Sequence, residues 1–179
     1  MTGTTNQDKA TIRKIAGIAS MVVGLPNFIV SVLLCFGGIA ITILLGIIAY
    51  ELYTGDGGDN PFAVICIVLI LVLVVVGLII AVIATILAFI FALAVGGQSL
   101  GGYYALRGKR FGRAVTLTFL GTAVSFLFGI GLVIYGIMGE RWDVFQIGAL
   151  VWGAYNIFAS IVSLVAGIIM IYAKDTFRK

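Results

Sequence analysis

The chain has 179 residues, of which 62% are hydrophobic and 10% are charged, and its net charge is +4. Soluble domains are about 45–50% apolar and about 25% charged, so this composition excludes a water-soluble fold. The chain contains no histidine, and it therefore lacks the commonest metal ligand and proton carrier.

Four long apolar segments predict four transmembrane helices. They cover roughly residues 27–50, 62–95, 114–138 and 147–173, and none of them contains Asp, Glu, Lys or Arg. A membrane-spanning helix needs about 20 apolar residues, whereas the strands of membrane barrels are about 9–11 residues of alternating polarity. The predicted fold is therefore all-α. It is a polytopic membrane protein in which residues 27–173 form a single four-helix bundle and residues 174–179 form a tail.

The region before the first span predicts a separate element. We expect residues 1–11 to form a polar cytoplasmic tail. Residues 12–24 place isoleucine and valine at helical spacing, with two basic residues on another face, which is typical of an amphipathic helix in the membrane interface. Pro26 lacks a donor N–H and disfavours helical geometry in the residue before it, so we expect a break there. The alternative is one kinked helix from Ile12 to Tyr50.

The second span is longer than a bilayer requires. Its 34 residues, from position 62 to position 95, would extend about 50 Å at about 1.5 Å per residue, whereas the hydrocarbon core is about 30 Å thick. We therefore expect this helix to tilt strongly, to protrude, or to be covered by other protein.

The predicted connection between spans two and three combines glycines with basic residues. Gly97 and Gly101 form a GxxxG pattern, which permits close approach of helices. The basic residues are Arg107, Lys109, Arg110 and Arg113. These side chains are candidates for contact with lipid headgroups or with a protein partner, and the alternative is that they only set the topology. A phosphate-binding P-loop needs a Lys-Ser/Thr pair after its glycines, and this connection has none.

The distribution of charge predicts the orientation. The two terminal segments and the second connection hold ten of the eleven Lys and Arg residues, while the first and third connections hold only Arg141 and most of the acids. Short basic loops stay on the cytoplasmic side. We therefore expect a protein of the cell membrane with both termini in the cytoplasm. The basic residues adjoin the spans, which favours an anionic lipid surface, worth about 1 kcal/mol per residue, over nucleic acid as their partner.

Spans three and four each carry a stripe of small and hydroxyl residues. The stripe of span three is Thr118, Thr122, Ser125 and Gly129, and that of span four is Asn156, Ser160, Ser163 and Gly167. In an antiparallel pair the two stripes face each other with residue numbers that sum to about 285. Such residues allow close packing and interhelical hydrogen bonds worth about 0.6 kcal/mol each. We expect a tight helix-packing seam, and the alternative is a path for a polar substrate.

An asparagine within the spans and two tryptophans beside them indicate how the helices pack and where the membrane interface lies. Asn156 is expected to be the only strongly polar side chain deep within a span, where an amide needs a partner. Trp142 and Trp152 flank the predicted outer interface and are typical of interfacial anchors.

The same spans limit the chemistry that we expect. They hold no histidine or charged residue, so no metal site, cofactor ligand or proton relay is expected, and no nucleophile has a base near it. We therefore expect no enzyme activity. Two hypotheses follow: a structural or accessory subunit that binds other membrane proteins or copies of itself, and a small channel or transporter with a polar path between spans three and four.

Two segments carry a family resemblance. They are Gly102-Tyr-Tyr-Ala-Leu-Arg-Gly-Lys-Arg-Phe-Gly-Arg-Ala114 and Ile-Ile-Met-Ile-Tyr-Ala-Lys-Asp-Thr-Phe at 168–177. This half of the chain resembles small uncharacterised bacterial and archaeal four-helix membrane proteins, a resemblance that implies no activity. Tetraspanins and claudins share the helix count, but the Cys-Cys-Gly motif of the former and the paired outer cysteines of the latter are missing from this sequence.

Overall fold

The computed structural model describes residues 5–54, 61–139 and 143–178, with only the backbone of Pro61, Phe62 and Ala63. The α-helices of these residues are α1 (Asn6–Thr54), α2 (Pro61–Arg107), α3 (Phe111–Met138) and α4 (Val144–Tyr172), and a short 3-10 helix (Lys174–Thr176) follows. All four α-helices are long and apolar enough to cross a membrane. The predicted all-α transmembrane four-helix bundle is therefore confirmed.

The predicted interfacial amphipathic helix at 12–24 is wrong, because α1 is one helix from Asn6 to Thr54 with Pro26 inside it. The buried stripe of its first half consists mainly of small and polar residues, which include Arg13, Ser20 and Asn27, while large side chains such as Ile15 and Val22 are exposed. This arrangement is the reverse of an interfacial helix, whose polar face meets water. The segment packs as a bundle helix.

The segment 96–107, expected to belong to a connection, is the last part of α2. Glycine in a helix costs about 1 kcal/mol relative to alanine, but here glycines allow close packing. A Cβ atom added to Gly101 would lie 2.7 Å from the Ala114 carbonyl oxygen of α3. The connection to α3 is short because Gly108 and Arg110 adopt left-handed backbone conformations, with φ of 63° and 52°. Glycine commonly ends a helix in this way.

The contacts divide the chain into two compact units. Unit 1 contains the first part of α1, the last part of α2, all of α3 and α4, and the chain up to Arg178; it covers the described parts of 1–29 and 91–179. Helices α3 and α4 pack closely within it, and Asp143 caps the start of α4 by accepting a hydrogen bond of 2.8 Å from the Gln146 N–H. Every buried side chain of the seam lies in this unit.

Unit 2 consists of residues 30–90, which are the remaining parts of α1 and α2. Its two helical segments approach each other at glycines. An added Cβ atom at Gly38 would clash with the Thr85 side chain, and one at Gly77 would lie 3.7 Å from the Leu45 side chain. Most of its large apolar side chains are exposed.

Some sequence predictions lie outside the described residues. They concern the acidic first connection with Asp56 and Asp59, the residues Glu140, Arg141 and Trp142 of the third connection, residues 1–4, and Lys179.

Candidate functional site

All eight residues predicted for the seam are buried inside unit 1. They are Thr118, Thr122, Ser125 and Gly129 on α3, and Asn156, Ser160, Ser163 and Gly167 on α4. The seam is therefore a continuous small-residue surface on each helix, and the individual contacts decide what it does.

The backbones of α3 and α4 approach each other closely at Gly129. An added Cβ atom on Gly129 would be 3.0 Å from both the Asn156 Cβ atom and the Gly153 carbonyl oxygen. Gly153 in turn would meet the Gly129 carbonyl oxygen at 2.9 Å. Closer to the other end of the seam, the Thr118 hydroxyl lies 3.9 Å from the Met170 sulfur, and Gly167 faces the Phe119 ring.

The hydroxyl groups of the seam donate mainly within their own helix. Thr118 donates to the Ala114 carbonyl and Thr122 to the Thr118 carbonyl, both at 2.8 Å, and Ser160 donates to the Asn156 carbonyl at 2.7 Å. Side chains of this kind commonly bond to the carbonyl four residues earlier. In these three residues the hydroxyl bonds within its own helix. The residues therefore contribute to the seam through their small side chains, which allow close packing, and not through hydrogen bonds between the helices.

Gln98 on α2 was missed by the sequence reasoning, although it lies at the centre of unit 1. Its side chain is 0% exposed. Its amide Nε2 donates to the Ser163 hydroxyl of α4, and its backbone carbonyl accepts a hydrogen bond of 3.3 Å from the Ser20 hydroxyl of α1. An added Cβ atom on Gly121 of α3 would meet the Gln98 side chain. All four helices therefore contact one glutamine.

The expectation that Asn156 is the only strongly polar side chain deep in a span is wrong. Gln98 and Asn27 are as fully buried as Asn156. The prediction failed because it ended the second span at Val95 and began the first one at Asn27. A usable signal was present, since Gln98 is the only Gln or Asn between Pro61 and Arg107.

Several buried polar atoms of unit 1 have no hydrogen-bond partner among the described residues, and three of them belong to residues in or beside the seam. These three are Gln98 Oε1, Ser125 Oγ and Asn156 Oδ1. An unsatisfied buried polar group costs about 1–3 kcal/mol, and internal water commonly bonds to such groups. We name the residues Ser20, Gln98, Ser125, Asn156 and Ser163 the polar core. The polar core contains acceptors and hydroxyls but no charged group, so it is suited to binding water or a neutral polar molecule.

A second cluster lies at one end of unit 1, and we name it the basic end. It comprises Lys9, Arg13, Lys14, Arg107, Lys109, Arg110, Arg113, Lys174 and Arg178. Three chain segments meet there. Arg13 Nη1 donates to the Thr176 carbonyl and hydroxyl, Arg178 N–H donates to the Gly108 carbonyl at 2.7 Å, and Lys9 lies 3.8 Å from the Asp175 carboxylate.

The four basic residues proposed from the sequence line two neighbouring pockets. The larger, of about 610 Å³, is lined by Arg110 and Arg113 together with Phe111, Lys174 and Arg178; the smaller, of about 410 Å³, is lined by Arg107, Lys109 and Arg110 with Tyr103 and Tyr104. Arg13 was not predicted as part of this cluster. It is only 6% exposed, and its burial depends on contacts with residues far away in the sequence.

Trp152, predicted as an outer interfacial anchor, is half-buried in unit 1 and stacks on Tyr155 with ring centroids 5.2 Å apart. Within the part of the chain that the structure describes, no three Cys, Asp or Glu side chains lie together as metal ligands. The resemblance to small four-helix membrane proteins stays a prediction. Comparison of the chain with family models, curated proteins and solved structures finds no match.

Proposed function

We propose that this membrane protein is a non-catalytic structural or accessory component of a larger membrane assembly, formed with copies of itself or with other membrane proteins. The observation that carries the proposal is the length of α1 and α2, which have 49 and 47 residues. Each therefore extends about 70 Å, whereas the hydrocarbon core of a bilayer is about 30 Å thick. Lipid covers less than half of each helix, and protein is the other apolar environment available.

The surface of unit 2 supports the same proposal. The most apolar 18-residue window of α2 has a mean hydropathy of 3.7 and 0% of it is buried, whereas 39% of the window in α4 is buried. A contiguous apolar surface along 18 helical residues is typical of sites that contact protein or membrane. With no charged residue between Pro61 and Leu106, α2 offers nothing that favours contact with water.

Orientation and lipid partners belong to the same proposal. The basic end brings together the three segments that hold most of the Lys and Arg residues. Because short basic segments stay on the cytoplasmic side, we place this end, with both termini, at the cytoplasmic surface of the cell membrane. Anionic lipids are its partners there.

The experiment is a mass measurement of the intact protein in mild detergent. One chain has a mass of 18.9 kDa. We expect the mass of two or more copies, or a mass that includes partner proteins. The variant L69A/L73A removes contact area from unit 2 and is expected to lower the share of the larger complex. The matched control L120A/L127A alters equally exposed leucines of α3 and is expected to leave that share unchanged. A single chain in every mild detergent would contradict the proposal.

A small channel or transporter is the second candidate, and the polar core favours it. Gln98 Oε1, Ser125 Oγ and Asn156 Oδ1 have no hydrogen-bond partner among the described residues, and pores can be lined by hydroxyl and carbonyl groups. The test is solute or ion flux into vesicles that contain the purified protein. Flux that falls in the S125V and N156L variants supports this candidate, and equal flux in vesicles with and without protein rejects it.

A further inference from the structure

The larger pocket of the basic end has the properties of an anion site. Arg110, Arg113, Lys174 and Arg178 give its lining four positive charges, against one negative charge from Asp175. The Asp175 carboxylate already faces Lys9, at 3.8 Å. None of the four cations makes an ion pair with any other described residue. Like charges held together repel each other, so the pocket is more stable with an anion bound.

All four cationic residues are exposed, and three of them have contacts that position part of the residue. The backbone of Arg178 is positioned, because its N–H donates to the Gly108 carbonyl and it forms an isolated β-bridge with the backbone of Lys109. The Lys174 ammonium lies 5.7 Å from the centre of the Phe111 ring, and the Arg110 guanidinium lies 5.7 Å from that of Tyr104. A site arranged before binding loses less conformational entropy when the ligand arrives.

The volume of the pocket and the residues that line it indicate the kind of ligand that it binds. Its volume of about 610 Å³ lies in the range of ligand sites, about 300–1,000 Å³. Arginine pairs with phosphate oxygens through two parallel N–H groups. The rings of Phe111 and Phe177, 5.2 Å apart and edge to face, give one apolar wall beside the cations. The pocket also lies where the apolar helix α3 begins and α4 has just ended, which is the level expected for headgroups.

We infer that this pocket binds a phosphate group, with the apolar wall against the glycerol part of a phospholipid. The inference rests on the proposed function in one respect, because it takes the basic end to face anionic lipid. Phosphate from solution has the same charged group without the glycerol and acyl chains, so the two sources can be separated by experiment.

The experiment compares two ligands on the full chain in a neutral detergent at about 0.15 M salt, where charges more than about 8 Å apart are screened. Binding of phosphatidylglycerol is measured by the mass of the intact protein, and binding of inorganic phosphate by the shift in unfolding temperature. The pocket variant is R113Q/R178Q. The control is K14Q, which alters an exposed residue of the basic end that lines neither pocket, and R113Q alone is the single pocket variant with the same loss of charge.

We expect the pocket variant to bind phosphatidylglycerol roughly 30-fold more weakly, and the control to stay within about threefold. R113K/R178K, which keeps the charge but not the paired N–H groups, is expected to restore part of the affinity. Stabilisation by inorganic phosphate alone, lost in the pocket variant, supports the phosphate site, assigns it to soluble phosphate and overturns the contact with glycerol.

Two results overturn the inference: equal effects of R113Q and K14Q, or no binding of either ligand to the unaltered protein. The unfolding temperature of each variant without ligand shows that it is folded. The mass of the assembly is measured on the same samples. An assembly that persists when lipid binding is lost separates the failure of this site from a failure of the proposed function.

Discussion

At the scale of single residues, glycines mark places where the helices of unit 1 approach each other closely. An added Cβ atom on Gly17 of α1 would lie 2.7 Å from the Gly102 carbonyl oxygen of α2, and Gly129 and Gly153 approach similarly between α3 and α4. Helices that lack side chains at such points gain backbone van der Waals contact, which is a main source of helix association in membranes. The hydroxyls of Thr118, Thr122 and Ser160, by contrast, bond within their own helices.

The variant G101A tests the role of close packing. The new Cβ atom would lie 2.7 Å from the Ala114 carbonyl oxygen, so α2 and α3 must move apart, at a cost of about 1–3 kcal/mol. The control is G131A, because Gly131 is also helical and has nothing within 4 Å of an added Cβ atom. We expect G101A to lower the unfolding temperature in detergent and G131A to leave it unchanged or raise it. Equal effects would show that helix propensity alone governs both sites.

The residues of the candidate site could be predicted from the sequence only in part. The stripes of α3 and α4 follow from helical spacing, and the resulting register placed Gly129 opposite Asn156, residues that approach each other in the structure. Gln98 could not be placed, because its importance comes from contacts with Ser20 and Ser163 on two other helices. Contacts between distant segments leave no periodic signal in the sequence.

At the scale of whole elements, α1 shows how a helix passes through proline. Pro26 cannot donate to the Val22 carbonyl and disturbs the turn before it. The carbonyl of the next residue, Val23, accepts a hydrogen bond of 3.1 Å from the Tyr155 hydroxyl of α4. Proline is tolerated in membrane helices where a neighbouring helix bonds to the backbone groups around it. Tyr155 therefore adds a hydrogen bond from α4 to the turn that contains Pro26.

The variant Y155F is expected to destabilise the protein by about 0.5–1.5 kcal/mol, the usual net value of one hydrogen bond. In a P26A background, where an N–H is restored to the turn, the same change is expected to cost less. The measurement is a double-mutant cycle of unfolding free energies for Y155F, P26A and the combined variant. Strict additivity of the two changes would mean that the tyrosine does not support the proline turn.

The errors in predicting α1 and α2 have one physical cause. Local rules end a helix at proline and at clustered glycines, and they placed boundaries at Pro26 and near Gly96. In the structure the backbone at both places is packed against another helix: Val23 accepts from Tyr155, and Gly96 faces the Phe28 ring. Tertiary contacts favour the helix there. Helix number and type were predictable because they depend on the length and hydropathy of each apolar segment.

At the scale of the whole molecule, the two units differ in how far their side chains are buried. Unit 1 holds the polar core and the basic end, while unit 2 is a pair of apolar helical segments with most large side chains exposed. The contacts described for unit 1 lie among its own residues. Unit 1 is thus equipped to fold on its own helices, and unit 2 exposes an apolar surface suited to contact with lipid.

A shortened chain tests this division. Deleting residues 44–54 and 61–71 removes about three turns from each helical segment of unit 2. We expect the helical signal in circular dichroism to fall by the deleted share, the unfolding temperature of the remainder to change little, and the larger assembly to be lost. Deleting residues 128–138 and 144–154 removes the same length from unit 1, including the contact of Gly129 with Gly153, and is expected to abolish folding. An unfolded first variant would contradict the division.

The contact between Arg13 and Thr176 joins residues that are 163 positions apart. A ribosome that adds about 5–20 residues per second therefore exposes Arg13 many seconds before its acceptor exists. During synthesis the arginine must be held by water, lipid phosphate or a chaperone until the last helix has been inserted. The segment around Thr176 thus holds the start of the first helix, and this contact forms only after that segment has been synthesised.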